Sequence, residues 1–126
     1  MNLTEHLFLD SFFKIFDARL DITGIVKDTV YGTLKWEDED DEQDIKWTKS
    51  FKDSDIELLT KLCDFLLQNK LTRGDKIDVT EDLLFEKLLA NDWTIEKAKK
   101  AIESLMDLEV RMLDDGKETD SFYIHF

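Results

Sequence analysis

The chain has 126 residues, of which 42% are hydrophobic, and its 30 Asp and Glu against 17 Lys and Arg give a formal net charge of −13. This length and apolar content predict a single compact domain over residues 1–126. The charge favours positively charged partners and disfavours nucleic acid and anionic lipid. A single cysteine excludes an internal disulfide, and the lack of a signal segment or an apolar run of about 18 residues predicts a cytoplasmic protein without a membrane span.

Residues 1–51 predict a helix followed by a β-hairpin. Behind the candidate N-cap Thr4, apolar side chains recur at helical spacing and predict an amphipathic helix that docks on the remaining core: Leu7, Phe8, Leu9, Phe12, Phe13, Ile15 and Phe16. Between residues 22 and 51, β-branched and aromatic residues favour strands. The first strand presents Val30, Gly32, Leu34 and Trp36 on one face, and the returning strand presents Ile45, Trp47 and Phe51.

The acidic segment, residues 37–44, lies between these strands and carries seven carboxylates in eight residues. A segment of this charge density cannot pack against itself. We therefore expect it to form the loop of the hairpin, where each carboxylate stays hydrated. The carboxylates are Glu37, Asp38, Glu39, Asp40, Asp41, Glu42 and Asp44.

Three interpretations of the acidic segment remain open on the sequence. One is a solvated loop that adds solubility. A second is partner recognition, in which the carboxylates imitate nucleic-acid phosphates before a Lys/Arg-rich groove and Trp36 or Trp47 is the apolar anchor. The third and weakest is calcium binding. Asp38, Asp40 and Glu42 alternate like calcium ligands, but the required glycine and the distal Glu are missing.

Residues 52–126 predict three helices and a second hairpin. Ser54 and Glu57 have the spacing of a capping box that begins a helix running to about residue 69. Turn residues 72–75 end this helix, and residues 77–79 alternate like a short strand.

The second and third of these helices have candidate caps in Thr80 and Thr94. The buried side of the second is predicted to be Leu83, Leu84, Leu88 and Leu89, and the stripe of the third is Ile95, Ala98, Ala101, Ile102, Leu105 and Met106. Residues 110–113 and 121–126 are extended segments around Asp114-Asp115-Gly116, where Asp-Gly is a strong hairpin-turn signal.

This order of elements over residues 53–126 resembles the winged-helix architecture, so the predicted fold class is α+β with a winged-helix-like C-terminal half. A winged helix implies DNA contact through its third helix and its hairpin. The lysines placed for such contact are Lys97, Lys99, Lys100 and Lys117. Residues 52–126 nevertheless hold 11 basic and 18 acidic side chains. This balance disfavours a DNA reader, and the lysines are more typical of a solvated helix face with a Glu96–Lys100 pair.

Few residues are suited to catalysis or metal binding. Cys63 lies on the apolar stripe of the first C-terminal helix and is expected to be an inert buried thiol. His6 and His125 lie near opposite ends of the chain and match no metal-ligand spacing. We therefore predict no enzymatic activity, no metal and no cofactor.

Together these observations predict a non-enzymatic acidic module that binds a basic, nucleic-acid-binding protein as an inhibitor, immunity or antagonist factor. The predicted contact is the acidic segment with Trp36 and Trp47. One alternative is a DNA-binding regulator or replication factor that uses the third C-terminal helix. Another is a subunit of a larger assembly with the Phe-rich helix as its interface. We expect a monomer or a homodimer.

Overall fold

The structure is a computed structural model that describes residues 2–37, 40–74 and 76–126, with Phe122 described by its backbone alone. Within these ranges the helices are α1 (Leu3–Lys14), α2 (Asp53–Gln68), α3 (Glu81–Ala90) and α4 (Ile95–Asp107). The strands are β1 (Ala18–Val26), β2 (Thr29–Trp36), β3 (Glu42–Thr48), β4 (Thr72–Arg73), β5 (Lys76–Ile77), β6 (Val110–Asp114) and β7 (Lys117–Phe122). The predicted α+β class is confirmed.

Five strands form one antiparallel sheet in the order β1, β2, β3, β6, β7. The sequence predicts two hairpins without relating them, and the structure joins them because β3 pairs with both β2 and β6. In the joining pair, Asp44 lies opposite Leu113 and Lys46 lies opposite Arg111. β1 is an edge strand that begins at Ala18, before the predicted strand region. Polar residues interrupt its apolar pattern, so the sequence does not predict the start of this strand.

The buried face of the sheet forms the core with the helices. Alternate residues of β2 and β3 are buried, as the period-two pattern predicts: Val30, Leu34, Ile45 and Trp47. Phe8 of α1 packs on Trp47 with ring centroids 5.6 Å apart. The predicted apolar face of α1 is wrong at Leu7, which is 51% exposed. The buried apolar residues of this helix are Phe8, Leu9, Phe12 and Phe13.

Two predicted local signals are confirmed. Thr80 and Thr94 each accept a hydrogen bond from a main-chain amide in the first turn of α3 and α4. Asp115 and Gly116 have φ angles of 51° and 79°, and a turn with two positive φ angles matches the right-handed twist of a hairpin. The following strand begins at Lys117, directly after the turn, and not at residue 121 as predicted.

The predicted N-caps Thr4 and Ser54 are both wrong. α1 begins earlier, after Asn2, whose Oδ1 accepts from the amide of Glu5 at 3.0 Å. The N-cap position of α2 is Lys52, which makes no side-chain capping bond, and Ser54 therefore lies inside the helix.

A polar network holds the starts of α1 and α2 together. Lys49 Nζ lies 2.9 Å from Glu5 Oε1 and 2.6 Å from Asp53 Oδ1, and Asn2 Nδ2 donates to Asp53 Oδ2 at 3.2 Å. The hydrogen bond from Lys49 holds the pKa of Asp53 below its usual value. Because that pKa is lower in the folded chain, the contact stabilises the fold above the ordinary Asp pKa. This contribution is lost as pH falls through the folded value.

The apolar stripes of α3 and α4 are narrower than predicted. Their buried residues are Leu84, Leu88, Ala98, Ala101, Ile102 and Leu105. Leu83, Ile95 and Met106, which the spacing predicts to be core residues, are exposed by 41%, 66% and 44%. The reason is that α4 packs chiefly on α2 and α3, and those contacts leave these three side chains largely uncovered.

The connection between α2 and α3 forms the small hairpin of β4 and β5. Residues 72–74, predicted as a plain turn, supply β4 and the positive-φ Gly74, while Asp75 lies outside the described residues. The buried Ile77 donates its amide to the carbonyl oxygen of His125 at 2.6 Å. The C-terminal segment is therefore tied to this connection.

Gly32 in β2 lies beside an irregularity of β1, where the register shifts between Ile22 and Gly24. A Cβ on Gly32 would lie 2.6 Å from Leu20 Cδ1 and 2.9 Å from the carbonyl oxygen of Asp21, whereas a Cβ on Gly24 meets nothing within 4 Å. We expect Gly32→Ala to lower the free energy of unfolding by about 1–3 kcal/mol, and the control Gly24→Ala to change it by less than about 1 kcal/mol. Urea denaturation measures both, and equal losses would contradict the predicted clash.

Candidate partner-binding surface

The two hairpin turns project from the same end of the sheet. Lys35 opposite Glu42 is the last described pair before the turn between β2 and β3, and Asp114 opposite Lys117 closes the turn between β6 and β7. Asp44 of β3 lies opposite Leu113 of β6. Since β3 and β6 are antiparallel neighbours in this register, the start of β3 and the Asp-Asp-Gly turn lie side by side.

This end of the sheet carries the acidic ridge, a set of exposed carboxylates from both hairpins: Glu37, Asp40, Asp41, Glu42, Asp44, Asp114 and Asp115. The sequence identifies the first five as candidate binding residues and treats Asp114 and Asp115 only as turn formers. Asp114 and Asp115 belong to the ridge only because β3 pairs with β6, and the local sequence does not predict that pairing. Asp38 and Glu39, also predicted to bind a partner, lie outside the described residues.

A groove of about 490 Å³ crosses the ridge between β3 and the turn of the second hairpin. Gln43 lines this groove and links β3 to β6, because its Nε2 donates to the carbonyl oxygens of Asp44 at 3.0 Å and Leu113 at 3.1 Å. Carboxylates from both hairpins therefore line this groove: Glu42 and Asp44 on β3, Asp114 on β6 and Asp115 in the following turn.

Lys35 supplies a counter-charge at the base of the ridge. Its Nζ lies 3.1 Å from Asp21 Oδ2 and 3.6 Å from Glu42 Oε1. The hydrogen bond to Asp21 raises the pKa of Lys35 and lowers the pKa of Asp21. Among the described residues, the pair with Lys35 is the ridge's only ion pair. Most of the ridge's negative charge is therefore left for solvent or a partner.

The two tryptophans beside the acidic segment differ in accessibility. Trp47 is 1% exposed and packs on Phe8, so it is not at the surface to anchor a partner. Trp36 is half-buried and lines a cleft of about 350 Å³ with Arg19, Lys35 and ridge carboxylates. Trp36 is therefore the tryptophan that a partner at the ridge can reach.

Calcium ligation by Asp38, Asp40 and Glu42 falls partly outside the described residues, because Asp38 is not among them. In the described ranges no group of three or more His, Cys, Asp or Glu side chains is placed to hold a metal ion.

The lysines predicted to contact DNA have acidic neighbours. Lys100 Nζ lies 3.4 Å from Asp55 Oδ1 on α2, so the predicted helical pair with Glu96 is replaced by a contact between helices. Lys99 lines a groove with carboxylates of α3 and α4, and Lys117 lies opposite Asp114 at the acidic turn. Lys97 is exposed near the start of α4. α4 itself carries three lysines and three carboxylates.

Cys63 is fully buried on α2, within the core. Burial is the main reason that its pKa is raised, and the nearby Asp64 raises it further. The thiol is therefore protonated at neutral pH and closed to solvent, as the sequence predicts.

No family model, curated protein or solved structure matches this chain. In the part of the chain that the structure describes, no helix has both the length and the apolar character to cross a bilayer.

The burial of Cys63 predicts slow alkylation of the folded protein. We expect iodoacetamide to react at least about 100-fold more slowly in native buffer than in urea, because reaction requires opening of the core. The control is a Cys63→Ala, Ser50→Cys variant, whose thiol is on an exposed loop and should react at similar rates in both. Rapid alkylation of native Cys63 would show that α2 opens readily. Quenched time points and mass spectrometry give the rates.

Proposed function

We propose that this protein is a non-enzymatic binding module whose acidic ridge receives a basic, nucleic-acid-binding protein, and that it acts as an inhibitor, immunity or antagonist factor. The proposal rests on the acidic ridge. It holds seven exposed carboxylates from two adjacent hairpins, and the described residues give it one ion pair.

Electrostatics supports a basic partner. Carboxylates gathered at one end of the sheet repel each other, and a Lys/Arg-rich groove reduces that repulsion on binding. DNA carries one phosphate charge per about 3.4 Å of axis on each strand, so a protein groove that binds DNA is rich in Lys and Arg and suits a surface of concentrated carboxylates. The long-range field of the chain also speeds the encounter with a positively charged surface.

Trp36 supplies the less polar element of this surface. Binding energy at protein interfaces concentrates in a few large residues, often Trp, that are surrounded by polar groups. Trp36 lies half-buried in a cleft beside Glu37 and Glu42. We therefore place the centre of the interface at this cleft, with the ridge extending towards Asp115.

Capture of a partner from a cell lysate tests this proposal. The immobilised protein is compared with a ridge variant, Glu37→Gln, Asp40→Asn and Asp41→Asn, and with a control variant that removes the same charge from exposed helix positions, Glu57→Gln, Glu86→Gln and Glu96→Gln. We expect the ridge variant to bind the captured protein at least about tenfold more weakly and the control to bind almost normally.

Two further results are expected for the captured protein. Duplex DNA should compete for it, because the ridge and the DNA would use the same basic groove, and its affinity should fall steeply as salt rises. Equal binding by the ridge variant, or a partner that DNA does not displace, would remove the ridge from the function. Isothermal titration calorimetry with the purified partner measures both.

We also propose that residues 52–126 are a variant of the winged helix. The order α2, β4 and β5, α3, α4 and the hairpin of β6 and β7 supports this assignment, as does the bridge between Lys76 and His125. It keeps DNA binding as a second candidate function, in which α4 carries Lys97, Lys99 and Lys100. The contact of Lys100 with Asp55 and the acidic surroundings of Lys99 favour the protein partner instead.

A mobility-shift assay at low salt separates these two functions. We expect no shift of random or genomic duplex DNA at about micromolar protein, because the chain lacks the surplus of Lys and Arg that phosphate binding needs. A shift that is lost in a Lys97→Gln, Lys99→Gln, Lys100→Gln variant and kept in the ridge variant would establish DNA binding as the function.

A further inference from the structure

A second surface lies on α3 and α4, where the two helices form an open groove of about 340 Å³. Its apolar lining comes from Phe85, Ile95 and Ile102. Ile95 is 66% exposed although it is a large aliphatic side chain, whereas Ile102 is 3% exposed and belongs to the core. The groove thus has a fixed floor and an apolar side chain that the described fold leaves uncovered.

Charged side chains surround this apolar lining. Glu81 and Asp82 come from the first turn of α3, and Glu103 and Lys99 come from α4. None of the four makes an ion pair with another described residue, in contrast to the nearby Lys100, which contacts Asp55. Three carboxylates against one ammonium give the groove a rim with a net negative charge.

A groove lined by two packed helices can receive a third helix. Two packed helices leave a channel along their contact, and an amphipathic helix laid in such a channel buries its apolar stripe while its polar side chains meet the rim. On α4 the lining runs from Ile95 to Glu103, so this side of the groove is about 12 Å long and matches roughly two turns of a partner helix.

We propose that the groove between α3 and α4 is a docking site for a basic amphipathic helix of a partner protein. Leucine-like side chains of that helix cover Ile95 and Phe85, and its lysines or arginines pair with Glu81, Asp82 and Glu103. This site uses no residue of the acidic ridge. It therefore gives the chain a second binding site, and the test of this site does not depend on whether the ridge binds a partner.

The test uses the full chain and a synthetic peptide of about 14 residues, with Leu at i, i+3, i+4 and i+7 and Lys elsewhere, carrying a fluorophore. A scrambled peptide of the same composition and a counterpart with Glu for Lys are the ligand controls. Fluorescence anisotropy gives affinities at about 0.15 M salt, where charges more than about 8 Å away are largely screened. Amide chemical shifts of the labelled chain locate the site.

Variants separate the groove from the overall negative charge. The groove variant Glu81→Gln, Asp82→Asn, Glu103→Gln and the apolar variant Ile95→Ser should each weaken binding of the amphipathic peptide about tenfold or more. The ridge variant removes the same charge elsewhere on the chain and should change the affinity for the amphipathic peptide by less than about threefold. Ile95 is mostly exposed, so its replacement keeps the fold intact even where loss of charge at the start of α3 weakens that helix.

The proposal requires shift changes confined to α3 and α4 and preference for the amphipathic peptide. It is overturned if the scrambled peptide binds equally, if the ridge variant loses as much affinity as the groove variant, or if the shifts map to the acidic ridge. Sedimentation of the protein alone tests the remaining possible occupant of the groove, which is a second copy of this chain. Self-association that Ile95→Ser abolishes would assign the groove to a second copy of this chain and also overturn the proposal.

Discussion

The pairing of β3 with two neighbours is the interaction on which the rest of the structure depends. β3 pairs with β2 through the first hairpin and with β6 through the second, so segments far apart in the chain share one sheet. Inward residues of this strand, Ile45 and Trp47, reach the core, while outward Lys46 pairs with Glu118 of β7. A shift by one residue would exchange these two faces, so burial of Trp47 fixes the register.

The same register creates the acidic ridge. Once Asp44 faces Leu113, the turns of both hairpins must leave the sheet at one end, and Asp115 is added to the carboxylates of the acidic segment. Repulsion between them favours separation, but the buried face of the sheet holds the strands together. The charge density of the ridge is therefore maintained by the core, and a basic partner would relieve the repulsion.

Helix packing explains the second proposed surface in similar terms. α2 is the helix that meets both α1 and α4, whereas α3 packs chiefly on α4. These contacts leave some large apolar side chains exposed, Ile95 and Leu83 among them. The ridge is almost purely charged and the groove combines apolar and acidic groups, so a partner with a basic groove and a basic helix could engage both.

The sequence by itself determined the features that depend on near neighbours. These include the α+β class, the hairpin around the acidic segment, the caps Thr80 and Thr94 and the Asp115-Gly116 turn, because periodicity, capping and turn chemistry act over a few residues. Only the tertiary structure decided that Asn2 and Lys49 tie the starts of α1 and α2 together, that Trp47 is core while Trp36 is reachable, and that two hairpins form one ridge. Each of these depends on contacts between residues distant in the chain, which local patterns do not encode.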